Sequence, residues 1–153
     1  MDNRRNFIKK TTLGTLGVSS ILGCENQSKT IVKPVYPRII STWNHGLEAN
    51  QKAWDILKNG QGGLSAVEEG VKVSEADPKI RSVGFGGYPD RDGIVTLDAC
   101  IMDKNSNCGS VSFLQNIKHP ISVARHVMED TTHVMLSGKG ALDCAISNGF
   151  ATS

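Results

Sequence analysis

The run Ile94-Val95-Thr96-Leu97-Asp98-Ala99-Cys100-Ile101-Met102 constrains the fold more than any other stretch of the chain. It is rich in β-formers, and Val95, Leu97, Ala99 and Ile101 alternate so that they share one face of an extended strand. Asp103-Lys104-Asn105-Ser106-Asn107 is turn chemistry, and Cys108 to Leu114 reads as the return strand. The segment is therefore predicted to be a hairpin with helical patterns on both sides. That order specifies a mixed α/β fold, not a purely parallel doubly wound sheet.

Upstream, Arg38 to Thr42 is a short strand candidate, and Trp43 to Gly46 turns the chain. Leu47 to Lys58 reads as a helix with an apolar stripe of Leu47, Ala53, Trp54 and Leu57, stopped by Asn59-Gly60. Ser65-Ala66-Val67-Glu68 has the capping-box pattern and opens a second helix to about Glu75, which Asp77-Pro78 ends. Downstream, His119-Pro120 opens a helix to about Glu129, with proline in its tolerated first turn. Val134-Met135-Leu136 is a short strand, and Gly138 to Asn148 a last helix closed by Gly149. The predicted order is β-α-α-β-β-β-α-β-α.

The first residues belong to something else. Arg4-Arg5-Asn6-Phe7-Ile8-Lys9-Lys10 is basic, and the apolar run Thr11 to Gly23 is 13 residues long. A membrane-spanning helix needs about 20. A basic head and short apolar run are the layout of an export signal, and the paired arginines resemble a twin-arginine signal. Ile21-Leu22-Gly23-Cys24 resembles a lipobox that would lipidate Cys24; a plain cleaved signal is the alternative. The expected organisation is a leader at 1–23, a polar tether at 24–38 with Pro34 and Pro37, and a domain at 39–153. The expected location is the periplasm or, lipid-anchored, the cell envelope.

Residues 1–23 hold four Lys/Arg and one Asp, so the net charge of +2 leaves 13 basic against 14 acidic residues beyond them. That balance offers no basic footprint for nucleic acid, and an aromatic content of 5% leaves little for base stacking. Past Cys24, the cysteines are Cys100, Cys108 and Cys144, an odd number that forbids complete internal pairing. A two- or four-residue hairpin loop puts Cys100 and Cys108 on opposite faces. A three-residue loop puts them on one face but not opposite each other. Neither suits a disulfide, so buried free thiols are expected.

Several patterns fail as sites. Gly84-Phe85-Gly86-Gly87 lacks dinucleotide-binding spacing and reads as a strand with close backbone approach, or a bulge. Asp90-Arg91-Asp92-Gly93 lacks the rest of a calcium loop and reads as a turn. His119, His126 and His133 recur every seven residues but need not share a face, so no metal site is assigned. Trp43 just past a strand end can give a substrate a flat wall and one N–H donor, or plug the core between strand and helix. Ser82, taken alone, is an ordinary serine before a strand.

Two blocks change that reading. Ser41-Thr42-Trp43-Asn44-His45-Gly46-Leu47-Glu48-Ala49-Asn50, and Arg81 to Asp90 running on to Thr96-Leu97-Asp98-Ala99-Cys100-Ile101-Met102-Asp103, resemble the N-terminal half of a glycosylasparaginase, an N-terminal-nucleophile amidohydrolase. The likeness extends through His119 to Arg125 and His133 to Leu136, and the related isoaspartyl peptidases and asparaginases carry His-Gly-Gly in place of the first block. The resemblance implies an αββα sandwich, of which this chain is one half, and no cofactor or metal. Trp43 would line the pocket beside the asparagine moiety, and Ser82 would lie near the nucleophile. The nucleophile is a threonine freed by autoproteolysis; its α-amine is the general base and its hydroxyl attacks the amide of a glycosylated asparagine. It is expected beyond Ser153, on a β-chain from the same precursor, in a homodimer of such units; Thr152 is not that residue. No catalytic group is expected in this chain, which would be inactive alone, with unpaired strand edges and an uncovered apolar face. A non-catalytic remnant of the family, exported and lipid-anchored, is the alternative; isoaspartyl peptidase or L-asparaginase activity is a further one.

Overall fold

The structure is a computed structural model describing residues 37–153, so the leader, Cys24 and the tether as far as residue 36 lie outside the described residues. Among the described residues the elements are α1 (Gly46–Lys58), α2 (Gly63–Ala76), a single 3₁₀ turn at Gly84–Gly86, β1 (Leu97–Met102), β2 (Cys108–Leu114), α3 (Pro120–Asp130), β3 (Met135–Ser137) and α4 (Gly138–Ser147). The sheet order is β1-β2-β3, with β1–β2 antiparallel and β2–β3 parallel. The protein is thus mixed α/β, as the hairpin between helices implies.

The hairpin takes the three-residue loop. Cys100 pairs with Ser110 and Met102 with Cys108. Asp103 N–H donates to the Asn107 carbonyl at 2.9 Å, extending the ladder. The Asp103 carboxylate accepts the N–H groups of Asn105 (2.8 Å) and Asn107 (2.9 Å), and Ser106 takes φ +67° at the loop tip. The thiols are free, but the expected burial is corrected. Cys100 is exposed, and Cys108 and Cys144 are half-buried. Cys100 shares the exposed side of β1 with Asp98 and Met102.

The alternation in β1 is real: Leu97 and Ala99 are half-buried and Ile101 buried, while Asp98, Cys100 and Met102 are exposed. Residues 94–96 lie outside the strand. The helices cover the inner face, where Ile101, Val111, Leu114, Val123, Val127 and Ala141 join one buried cluster. Gly109 permits this, because a Cβ there would overlap the Ala124 carbonyl and the Met128 nitrogen of α3. The opposite face presents Met102 and Met135, both more than half exposed.

Two predicted strands are absent. Residues 38–41 are irregular, and Ile40 is 91% exposed. A lone extended segment has no ladder to hold it, and none of the three strands is its neighbour. Gly84–Gly86 is a 3₁₀ turn instead of a strand. The expected close approach does occur there: Gly84 has φ +64°, and a Cβ would overlap the backbone of Glu75.

The capping box is also unused. Gly62 is the N-cap of α2 and makes no side-chain cap bond. Ser65 and Glu68 instead meet Arg125 of α3, at 3.1 Å and 2.8 Å. A charged partner outcompetes the local backbone donors. In α1, Ala53 is buried, but Leu47 is 75% exposed and lies off the predicted stripe. The Asp90–Gly93 turn forms as read: the Asp90 carboxylate accepts N–H from Asp92 and Ile94, and Gly93 has φ +83°.

Candidate active-site cleft

A cleft of about 280 Å³ opens where α1, α2, β1 and the start of α3 converge. Its walls include Thr42, Trp43, His45, Ser74, Glu75, Gly84, Asp98 and Ile121. Trp43 stands in the turn before α1, is 69% exposed and is among the residues that line the cleft. Val83 and Gly84 line the cleft, which puts the exposed Ser82 one residue from its rim. Of the two residues singled out from sequence, Trp43 lines the cleft and Ser82 does not. A larger cleft of about 480 Å³ lies between residues 37–41, α1 and α2, and among the described residues Arg38 is the one ionisable side chain lining it. It is less suited to polar chemistry.

Glu75 is the most perturbed group of the small cleft. It occupies the last turn of α2 and is 3% exposed. Burial pushes its pKa up to about 7, against the lowering effect of the Ile121 N–H and of Lys72. Its Oε1 accepts the Ile121 N–H at 3.0 Å, and its Oε2 lies 3.2 Å from His119 Nδ1. Burial also depresses the pKa of His119, with Lys72 and Lys118 acting in the same direction. At neutral pH the imidazole is therefore uncharged, and it can either donate from Nδ1 to a carboxylate or accept from a carboxylic acid.

Ser74 Oγ lies 3.0 Å from His45 Nδ1. A serine beside a histidine invites a nucleophilic reading, but Ser74 is 6% exposed and, among the described residues, His45 Nε2 is buried without a partner. No third group among the described residues orients the ring, so the pair lacks the arrangement of an activated nucleophile. On β1, Asp98 Oδ1 accepts the Phe113 N–H at 2.8 Å and holds Phe113 at φ +52°, opposite the register shift between Leu97 and Ala99.

The three spaced histidines do not converge. His119 meets Glu75, while His126 meets Asp130 at 2.9 Å and the Phe150 ring at 5.9 Å. His133 donates its backbone N–H to Thr131 Oγ1. Thr152 is exposed and forms an isolated bridge with Ile117.

Sequence reading missed His45, Ser74, Glu75 and Asp98. One signal was present for Glu75: an acid in the last turn of a helix opposes the helix dipole and needs a reason. That reason, the start of α3, is 46 positions away.

What the cleft supplies is a flat aromatic wall, hydroxyls and one acid that titrates near neutrality, around a space open to solvent. A family model for asparaginase matches residues 29–153. The chain is 54% identical to the N(4)-(β-N-acetylglucosaminyl)-L-asparaginase of Elizabethkingia miricola, over 97% of this chain and 45% of that protein. The rat enzyme of the same name is 43% identical over 76% of this chain and 34% of its own length. A putative one from Drosophila grimshawi is 46% identical over 80% and 32%. The chain belongs to the asparaginase family, and within it resembles the glycosylasparaginases. It spans less than half the length of these relatives.

Proposed function

We propose that this chain supplies the N-terminal part of an amidohydrolase that cleaves the bond between N-acetylglucosamine and asparagine. The observation that carries the proposal is the 54% identity, across 97% of the chain, to a protein named for that reaction. Residues 41–46 support it. They read Ser-Thr-Trp-Asn-His-Gly and build the turn that sets Trp43 on the cleft wall.

In this reading Trp43 packs against the asparagine moiety and Ser82 lies beside the nucleophile. That nucleophile is a threonine of a downstream β-chain, released by autoproteolysis of a common precursor. Its own α-amine takes the hydroxyl proton, and the hydroxyl attacks the side-chain amide carbon. Donors aimed at the developing oxyanion stabilise the tetrahedral intermediate. The amino sugar leaves, and water then releases aspartate. The working unit is a homodimer of α and β chains. Export by the leader and lipidation of Cys24 place the enzyme at the cell envelope.

The test is to assay the complete gene product on a glycosylated asparagine and measure aspartate. Release at a rate abolished by substituting the downstream threonine is the expected result. A folded product that releases none would overturn the assignment.

A further inference from the structure

Helices α1 and α2 meet along a seam of matched rungs. A Cβ at Gly70 of α2 would overlap the Ala49 carbonyl of α1 and crowd the Ala53 side chain, so the two helices lie close there. Four residues back from Ala49 and four on from Gly70, the next rung is polar: Ser74 Oγ lies 3.0 Å from His45 Nδ1. His45 is the residue before Gly46 at the start of α1, and Ser74 is in the last turn of α2. Both line the small cleft.

That rung bears directly on Trp43. Residues 43–46 form one turn, in which the Gly46 N–H donates to the Trp43 carbonyl at 2.8 Å. The Leu47 N–H donates to the Asn44 carbonyl at 3.2 Å, so the turn runs straight into α1. His45 is the third residue of the turn, with φ −65° and ψ −14°. The Ser41 side chain fills the place that a Cβ on Gly46 would take, which closes the turn from its other side. With its indole mostly exposed, Trp43 takes its placement from this backbone. Among the described residues His45 Nε2 has no partner, so Ser74 is the ring's one hydrogen-bond anchor there. Nδ1 can donate or accept and a hydroxyl can do either, so the bond survives a change of tautomer.

We propose that Ser74 and His45 are positioning residues for the Trp43 indole: the hydroxyl holds the imidazole, and the imidazole fixes the turn that presents the indole to the cleft. The inference rests on reading this cleft as the substrate site. Neither residue is assigned a contact with reacting atoms. Ser74 is 6% exposed, and a buried hydroxyl costs free energy unless it is bonded. Serine is also a poorer helix former than alanine, so helix propensity gives no reason for it at this position. The bond to His45 gives one.

The test uses the full chain labelled with fluorotryptophan and read by fluorine NMR without substrate. The chain has two tryptophans, Trp43 and Trp54, and the Trp43 resonance is assigned by its loss in Trp43→Phe. Trp54 lies within α1 and reports on the helix itself. Ser74→Ala is expected to shift or broaden the Trp43 resonance and to leave that of Trp54 in place. In a His45→Phe background, which keeps a ring but has no Nδ1, Ser74→Ala is expected to add no further change. A Trp43 resonance unmoved by Ser74→Ala overturns the inference. So does a change shared equally by Trp54, the mark of a loosened helix pair, and so does an undiminished effect of Ser74→Ala in the His45→Phe background. Should Ser74→Ala fail to fold, Ser74→Cys, a weaker hydrogen-bonding group, is read by the same criteria. Because no turnover is read, failure of the proposed reaction and failure of this inference are separate results.

Discussion

Arg125 and Glu68 are 57 positions apart, and Arg125 Nη1 lies 2.8 Å from Glu68 Oε2. The same guanidinium bonds Ser65 at 3.1 Å and Glu129 at 2.9 Å. Glu68 also accepts from Ser122 at 2.6 Å and meets Lys72 at 3.3 Å. Burial pushes the Glu68 pKa up, but the bonds from Ser122 and Arg125 and the charge of Lys72 outweigh it, and the net shift is downward. The cluster joins α2 to α3.

Arg125→Ala leaves a buried carboxylate with fewer donors and is expected to cost about 1–3 kcal/mol. Arg125→Lys recovers only part, because a single ammonium cannot reach Ser65, Glu68 and Glu129 in one geometry. Urea denaturation of the three proteins measures this. Since the Glu68 pKa is lowered, its contribution is present above the ordinary carboxylate range and is lost as pH falls below it. A loss under about 0.5 kcal/mol would show a network no better than an exposed ion pair.

Glu75 gives the opposite slope. Its pKa rises from 4.5 to about 7, so its favourable contribution is complete below 4.5 and disappears as pH rises through 7. His119 is shifted down from 6.5 and destabilises as pH falls below that value. The His119 slope runs against that of Glu75 and fades as pH rises past 6.5, and because it is common to the parent and the Glu75 variant their difference reports Glu75. Glu75→Gln is expected to flatten the decline in melting temperature between pH 6.5 and pH 8. An unchanged slope would show that the carboxyl is solvated in the folded protein.

Gly84→Ala tests the seat on Glu75. The substitution forces a Cβ into the Glu75 backbone at φ +64°, where both strain and overlap count. A loss of at least about 2 kcal/mol is expected by chemical denaturation. A near-neutral result would mean that the 81–87 segment can leave α2 without cost.

Trp43→Ala separates wall from plug. With the side chain 69% exposed, stability should change by less than about 1 kcal/mol. Substrate use by the complete enzyme should fall by about tenfold or more, corresponding to roughly 1.4 kcal/mol of lost contact. Circular dichroism and aspartate release, measured on one preparation, distinguish the two roles. Global unfolding would favour the plug.

Several elements are legible in the sequence alone. The β1 alternation, the Asp103–Asn107 turn, Pro120 opening α3 and Gly149 at φ +84° after α4 all follow from local rules of period, turn chemistry and backbone freedom. The two motif blocks also identify the family, since residues 29–153 match it. The misreadings fall where a distant partner takes over. Ser65 and Glu68 leave their capping box for Arg125, and residues 38–42 have β-formers but no neighbouring strand.

What the sequence determined by itself was therefore the helices, the hairpin and the family, because each rests on neighbours within a few residues or on a contiguous motif. Only the tertiary structure decided the three-residue register that puts both hairpin thiols on one face, and the convergence of Trp43, Ser74, Glu75, Asp98 and Ile121 on one cleft. It also decided that an acid at a helix end would be buried and cap another helix 46 positions away. Burial and long-range hydrogen bonds depend on how elements pack, and no local spacing encodes the burial that raises the pKa of Glu75.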